Sequence, residues 1–188
     1  ENYSNYKDIT LVFHDIDTVP AEKNLFDYRT STGVIKHFYG FTHTLGGIFS
    51  ITGGDFEKIG GFPNYWSWGY EDNVIYERVK NNKSMIIDRS IFFGVGSFEI
   101  LHIFDKNIKM FSKNIPNIKV ETNGLNDVYV IDYNYDPKNN YLNVTNYKCN
   151  QILEKNNMYI DNITNYDKNI KKKNTKDNRF KMKLLGGT

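Results

Sequence analysis

Phe62-Pro63-Asn64-Tyr65-Trp66-Ser67-Trp68-Gly69-Tyr70-Glu71-Asp72-Asn73 is the stretch on which the reading of this chain turns. Gly60-Gly61 precede it and a helical pattern follows it, so the run is a loop delivered onto the start of a helix. Two tryptophans and two carboxylates fall within seven residues. Indole faces stack on flat rings such as sugars, and a carboxylate beside them can take a proton from a hydroxyl. From Glu71 to Val79, Val74, Ile75 and Val79 share one side of the predicted helix, with Glu77 and Arg78 on the other. Glu71 and Asp72 fall in its first turn. There the helix dipole favours their charged form, whereas shielding by an indole disfavours it. A base that stays ionised yet is poorly hydrated would result. An aromatic core cluster followed by an acidic helix start is the plainer alternative, and the glycines at 60, 61 and 69 favour the loop.

Upstream, Asp8 to Phe13 reads as a short strand with Ile9, Leu11 and Phe13 on one face. His14 to Thr18 form the turn at its C-terminal end, where open α/β sheets place ligands. In an extended segment Asp15 and Asp17 point the same way, so both carboxylates can face one site. Hard oxygen ligands suit Mg²⁺ or Mn²⁺, and such a cation neutralises a leaving diphosphate. A solvated turn is the alternative. Taken together, the two segments imply transfer of a sugar from a nucleotide diphosphate to a hydroxyl. Between them the sequence predicts a helical turn over Ala21–Tyr28, strands over Ile35–Phe41 and Gly47–Thr52, and a short helix over Asp55–Ile59. Later strands are expected at Met85–Ile87, Asp127–Tyr133 and Tyr141–Thr145. His102, in Glu99-Ile100-Leu101-His102, is either a satisfied core imidazole or the completion of a metal shell begun by Asp17. Lys36, His37, His43 and Arg89 carry no spacing signal and read as surface or packing residues.

The bulk properties permit this reading without pointing to it. At 188 residues the chain is one domain, or one domain with a tail, with 39% hydrophobic and 15% aromatic residues. A net charge of +2 makes no demand for a nucleic-acid partner, and no stretch approaches the ~20 apolar residues of a membrane span. The single cysteine, Cys149, excludes an intramolecular disulfide. Sequons at Asn2, Asn82, Asn143 and Asn162 carry little weight in so asparagine-rich a chain. Residues 1–148 are read as the folded domain and residues 149–188, polar and basic with Lys171-Lys172-Lys173, as a mobile tail.

His14-Asp15-Ile16-Asp17 followed by Pro20, then Leu45-Gly46-Gly47, Gly61-Phe62-Pro63-Asn64 and Trp66 to Asn73 resemble the β-1,4-galactosyltransferases in order and spacing. Glu99 to His102 stands where that family has a Met-x-x-His metal motif, and Asn123-Gly124-Leu125-Asn126 leads into a strand like the family's last. The resemblance runs from about Tyr6 to Asn146. It implies an α/β fold of GT-A type, Mn²⁺ dependence (Mg²⁺ as an alternative) and inverting transfer from UDP-galactose to a sugar acceptor. Position by position, it implies Asp17 and His102 as metal ligands with Glu99 beside them, and Asp15, Thr44, Gly46 and Gly47 around the donor. Asp72 would be the base, Trp68 the bridge between the two sugars, and Glu71, Tyr70 and Asn73 acceptor-site residues.

Several positions depart from the family pattern. Glu99 replaces the methionine ligand, so it either binds the cation more tightly or does not coordinate. Asn73 stands in place of a second acidic residue and Tyr70 in place of a glycine, which counts against an N-acetylglucosamine acceptor. Thr44 stands where a tyrosine walls the donor pocket, which makes room for UDP-N-acetylgalactosamine. Fourteen residues precede Asp15 where the family has about a hundred, so the chain is expected to be the C-terminal, acceptor-side part. The donor half would then lie elsewhere, for example in a separate segment. A non-catalytic sugar-binding or scaffold domain and a chondroitin-polymerase-like transferase are the competing expectations. The compartment would be the Golgi lumen for a eukaryotic relative and the cytoplasm for a viral or bacterial one.

Overall fold

A computed structural model describes residues 4–65, 69–103, 108–112, 122–150 and 158–162. Eleven strands run in chain order: β1 Thr10–His14, β2 Thr18–Pro20, β3 Val34–Gly40, β4 Ile48–Thr52, β5 Ile86–Asp88, β6 Phe93–Gly94, β7 Ile100–His102, β8 Ile108–Ser112, β9 Val128–Asp136, β10 Tyr141–Cys149 and β11 Met158–Asn162. Two helices join them, α1 Gly53–Lys58 and α2 Glu71–Asn81. The main sheet has the order β1-β4-β3-β5, with β6 also paired to β3. β4 is antiparallel to both its neighbours, and β5 and β6 lie parallel to β3.

Central β4 is buried along its whole length, as a strand covered on both faces must be. On one face Ile35, Phe49 and Ile51 pack with Ile75 and Val79 of α2, Ile59 and Met85. Partly buried Leu11 and Phe13 of β1 join them with Phe56 and Phe62. The Phe13 and Phe49 rings stack at 4.9 Å. On the other face Phe26, Phe38, Tyr39, Ile48 and Ile100 form a second cluster. A bulge in β3 creates this division. His37 lies opposite Phe49, but Tyr39 lies opposite Ile48, so the alternation slips and Tyr39 joins Phe38 on the second face. Bulges re-aim side chains in this way, often beside functional sites.

The strands at 34–40, 48–52 and 86–88 and both helices fall close to their predicted positions. Residues 21–28 form no helix. Phe26 is instead drawn into the second cluster, 4.8 Å from the Phe38 ring, and such burial outweighs the weak preference of so short a segment. The β9–β10 hairpin extends further than expected, to Asp136 and Cys149. Strand β11, paired with β8, falls inside the segment read as a tail, and residues 163–188 lie outside the described residues. Among the described residues no helix is long and apolar enough to cross a membrane.

Candidate functional site

At the C-terminal end of β1 the chain makes a tight turn. The Thr18 backbone N–H and hydroxyl donate to the Asp15 carbonyl at 3.2 and 3.1 Å, and the Asp15 N–H donates to the Gly47 carbonyl at 2.9 Å. The turn therefore carries Asp15 and Asp17 alongside the Gly46-Gly47 corner that enters β4. From the turn the chain enters β2, which pairs antiparallel with β7 and sets Thr18 opposite His102. The Ile103 N–H closes this ribbon on the Asp17 carbonyl at 2.7 Å. Asp17 and His102, 85 positions apart, are thereby neighbours across two strands.

Glu99 is not brought to that pair. Its carbonyl accepts from the Ala21 N–H at 2.8 Å, which sets it at the other end of the ribbon, and its side chain is exposed. Among the described residues no three His, Cys, Asp or Glu side chains assemble into a metal-binding group. His102 is instead met by Tyr39, whose hydroxyl hydrogen-bonds its Nε2 and whose ring lies edge-on at 5.6 Å. Nothing in the sequence marks Tyr39, because only the bulge turns it toward the acidic turn. Its hydroxyl pKa is raised, first by burial and then by Asp15 and Asp17.

Across the Gly46-Gly47 corner stands the start of α2. The Leu45 N–H donates to the Asp72 carbonyl at 3.1 Å. A Cβ on Gly46 would collide with the Asp72 carboxylate, so the absence of a side chain lets backbone and acid close on each other. The result is a half-buried, poorly hydrated carboxyl group. Its pKa rises from 3.8 to about 7, through burial first, then Glu71 and Asp15. The helix dipole works in the opposite sense and loses. Asp15 shifts the same way: its turn is open, but its carboxyl end is partly dehydrated and Asp17 and Glu71 repel it. Glu71 accepts from the Gly69 N–H at 2.9 Å. Among the described residues no ion pair reaches Asp15, Asp17, Glu71 or Asp72, so this acidic wall faces itself.

Tyr70 caps α2 with a left-handed backbone, φ 72°, a conformation that costs a non-glycine residue about 1–2 kcal/mol. Asn73 is half-buried one residue beyond Asp72, and Thr44 is buried on the segment that leads to Gly46. Trp66 and Trp68 lie outside the described residues. The loop that leads to them is anchored at its base. Asn64 accepts from the Tyr147 hydroxyl, its backbone N–H donates to Asn123 Oδ1 at 2.7 Å, and its amide donates to the Gly124 carbonyl at 2.7 Å. Arg78 completes the anchor, donating to the carbonyls of Gly60 at 3.3 Å, Gly61 at 2.6 Å and Asn123. Sequence periodicity placed Arg78 on the helix face away from the core. Yet Arg78 is four residues from buried Val74, a spacing that puts the two on one side.

Chemically, the arrangement offers an acidic turn with an imidazole and a phenol beside it, and a dehydrated carboxylate capable of taking a proton near neutral pH. A family model described as the N-terminal domain of galactosyltransferase matches residues 32–99. Human β-1,4-galactosyltransferase 5 is 34% identical over 80 residues, which cover 38% of this chain and 21% of that protein. The xylosylprotein 4-β-galactosyltransferase of Caenorhabditis elegans is 31% identical over 142 residues, 65% of this chain and 49% of that protein. The chain thus spans half or less of the length of these relatives. In fold it is similar to the catalytic domain of Drosophila β1,4-galactosyltransferase 7 in complex with xylobiose, with a TM-score of 0.57 and 19% identity over 81% of this chain and 72% of that one. A mutant of the same enzyme in complex with manganese, UDP-Gal and xylobiose matches with a TM-score of 0.55 and 18% identity, over 78% of this chain and 69% of that one. The mixed sheet with its two helices is the GT-A type arrangement of those structures.

Proposed function

We propose that this relative of the β-1,4-galactosyltransferases carries the metal- and acceptor-side machinery of an inverting glycosyltransferase, which moves galactose or N-acetylgalactosamine from a uridine diphosphate to a sugar hydroxyl. The observation that carries the proposal is the Asp72 carboxylate, dehydrated against Gly46 and poised at about 7. A sugar hydroxyl has a pKa far above neutrality, and a base within hydrogen-bond reach is what it needs to become a nucleophile. Asp72 takes the hydroxyl proton as the acceptor oxygen bonds to the anomeric carbon. The bond from that carbon to the diphosphate oxygen breaks on the opposite face, and the leaving diphosphate keeps the electron pair. Glu71 and Asn73 hold the acceptor and Thr44 lines the donor sugar's pocket; the role of bridge between the two sugars falls to Trp68 by the family resemblance alone.

Asp17 and His102 would hold a divalent cation, Mn²⁺ or Mg²⁺, whose charge neutralises the leaving diphosphate when bound. What supports such a group is the crowding of Asp15, Asp17, Glu71 and Asp72 without an ion pair among the described residues; burial first, and then Asp17 and Glu71, raise Asp15. Glu99 is left out of the shell, because strand pairing sets it level with Ala21.

Calorimetric titration of UDP in the presence and absence of Mn²⁺ tests the reading. Metal-dependent binding that disappears in Asp17→Asn and weakens less in His102→Ala is expected, because loss of the charged ligand leaves the diphosphate unneutralised while water can replace an imidazole. An Asp17→Asn titration equal to wild type removes the metal assignment. UDP binding without any need for a divalent cation, or no UDP binding in the full-length protein, removes the transferase reading itself.

A further inference from the structure

His37 and Arg89 showed no signal in the sequence, yet they hold the segment between Tyr39 and Gly47 in place. The His37 ring is fully buried in β3, beside the bulge. Its Nε2 lies 3.0 Å from the carbonyl oxygen of Tyr39 and 3.0 Å from that of Gly46. Its Nδ1 lies 3.0 Å from the Nε of Arg89, whose Nη2 donates to the Thr42 carbonyl at 3.0 Å. Chemistry fixes the proton. Carbonyl oxygens can only accept and a guanidinium can only donate, so the imidazole is neutral with its hydrogen on Nε2. Protonation would remove the acceptor for Arg89 and set two cations together, and burial with Arg89 nearby accordingly lowers the His37 pKa to about 4. Arg89 is itself held from the far side, its guanidinium lying 5.9 Å from the Tyr76 ring of α2 and 5.6 Å from that of Phe92.

One imidazole thus ties both ends of the segment from Tyr39 to Gly46, and Arg89 ties its middle. The segment carries Thr44, and its end meets the acid through the Leu45 N–H and the bare Cα of Gly46. The pair meets the site at the Gly46 carbonyl and not at the Asp72 carboxyl. We propose that His37 and Arg89 form a positioning pair that sets the 40–46 segment and, through Gly46, keeps the Asp72 carboxylate dehydrated. The consequence for transfer rests on the reading of Asp72 as the base; the consequence for the loop does not.

The test compares wild type with His37→Phe, which keeps a ring but loses every hydrogen bond, and His37→Gln, whose amide N–H can still serve the carbonyls. Ring ¹⁵N spectra of the wild-type chain should show the Nε2–H tautomer at pH 7, unchanged down to pH 5; an Nδ1–H tautomer or an imidazolium overturns the proposal before any variant is made. Amide hydrogen exchange should quicken by about tenfold or more at Thr44 and Leu45 in His37→Phe. The amides of Gly53 and Ile59, bonded elsewhere to Ile9 and Asp55, should keep their wild-type rates, and Gln should restore most of the loop's protection. Equal acceleration everywhere marks a merely structural role, and unchanged rates at Thr44 and Leu45 sink the loop assignment. Should His37→Phe not fold, Arg89→Met, which loses the bond to His37 Nδ1 and in addition the Thr42 contact, is read by the same criteria. In the full-length protein kcat should fall about tenfold or more with acceptor KM changed by less than about threefold, as for a misplaced base; an unchanged kcat with a loosened loop overturns the link to Asp72. UDP titration of the wild type judges the transferase reading independently of these exchange rates.

Discussion

At the scale of single residues, Asp72 and His37 are two groups whose ionisation the fold suppresses, with opposite consequences for stability. Asp72 has its pKa raised from 3.8 to about 7, so the folded chain binds a proton that the unfolded chain has released. The resulting cost is absent below about pH 4 and grows as pH rises through 7. The full rise corresponds to an upper bound of about 4 kcal/mol, and partial exposure reduces it to about 1–3 kcal/mol. Asp72→Asn should therefore stabilise the metal-free chain by that amount at pH 8 and by almost nothing at pH 4, measured by urea denaturation. A site residue whose removal stabilises the fold is the expected sign of function taken at the expense of stability. His37 behaves in the reverse sense: its pKa falls from 6.5 to about 4, and its contribution is complete above about pH 6.5 and lost as pH drops toward 4. Wild type should lose about 3 kcal/mol over that interval relative to His37→Gln; parallel stability curves for the two proteins would show that His37 is not held neutral.

At the scale of elements, the Arg78 anchor decides where the aromatic loop begins. Its guanidinium serves three carbonyls, on Gly60, Gly61 and Asn123; a side chain without donors would take its bonds from the Gly61 and Asn123 oxygens, while the Gly60 oxygen keeps the Leu125 N–H. Arg78→Leu is expected to cost about 3 kcal/mol in denaturant unfolding, and Arg78→Lys more than half of that, since one ammonium cannot span the fork. A loss below about 1 kcal/mol for Arg78→Leu would place the anchor elsewhere. Elements governed by local periodicity were legible in the sequence. Short apolar runs marked β3 and β4, the latter entered through Gly46-Gly47, and the 3.6 period with an acidic first turn marked α2. What escaped depends on contacts distant in the chain. Phe26 pulls residues 21–28 out of helix into the second cluster, and the β3 bulge that turns Tyr39 toward His102 has no local signature. His37 and Arg89 escaped for the same reason, because their meaning lies in carbonyls up to 47 positions away. That Asp15 and Asp17 follow a strand and that Asp72 opens a helix was legible, because apolar runs and glycines mark those ends in the sequence itself. Glu99 was drawn in by the family resemblance, as the residue in place of the methionine of Met-x-x-His, and strand pairing sets it at the other end of the ribbon from His102.

At the scale of the molecule, the sheet draws segments far apart in sequence to one edge: the β1 turn, the Gly46-Gly47 corner, the start of α2 and the end of β7. Each arrives by a different constraint, a strand pairing, a bulge, a helix start and a ribbon. Their convergence leaves a dehydrated carboxylate opposite an acidic turn that has a histidine beside it. On the function proposed, this carboxylate, on Asp72, is the base of a sugar transfer. The most direct measurement is single-turnover transfer by Asp72→Asn in the full-length protein, with UDP and Mn²⁺ affinities determined on the same sample. Asparagine keeps the size and polarity of the acid but cannot take the proton, so transfer should fall by about 10²–10⁴ while both affinities stay within a factor of about three. A variant that retains more than about a tenth of the wild-type rate, or that loses donor and metal affinity together with transfer, contradicts the assignment and passes the role of base to Glu71.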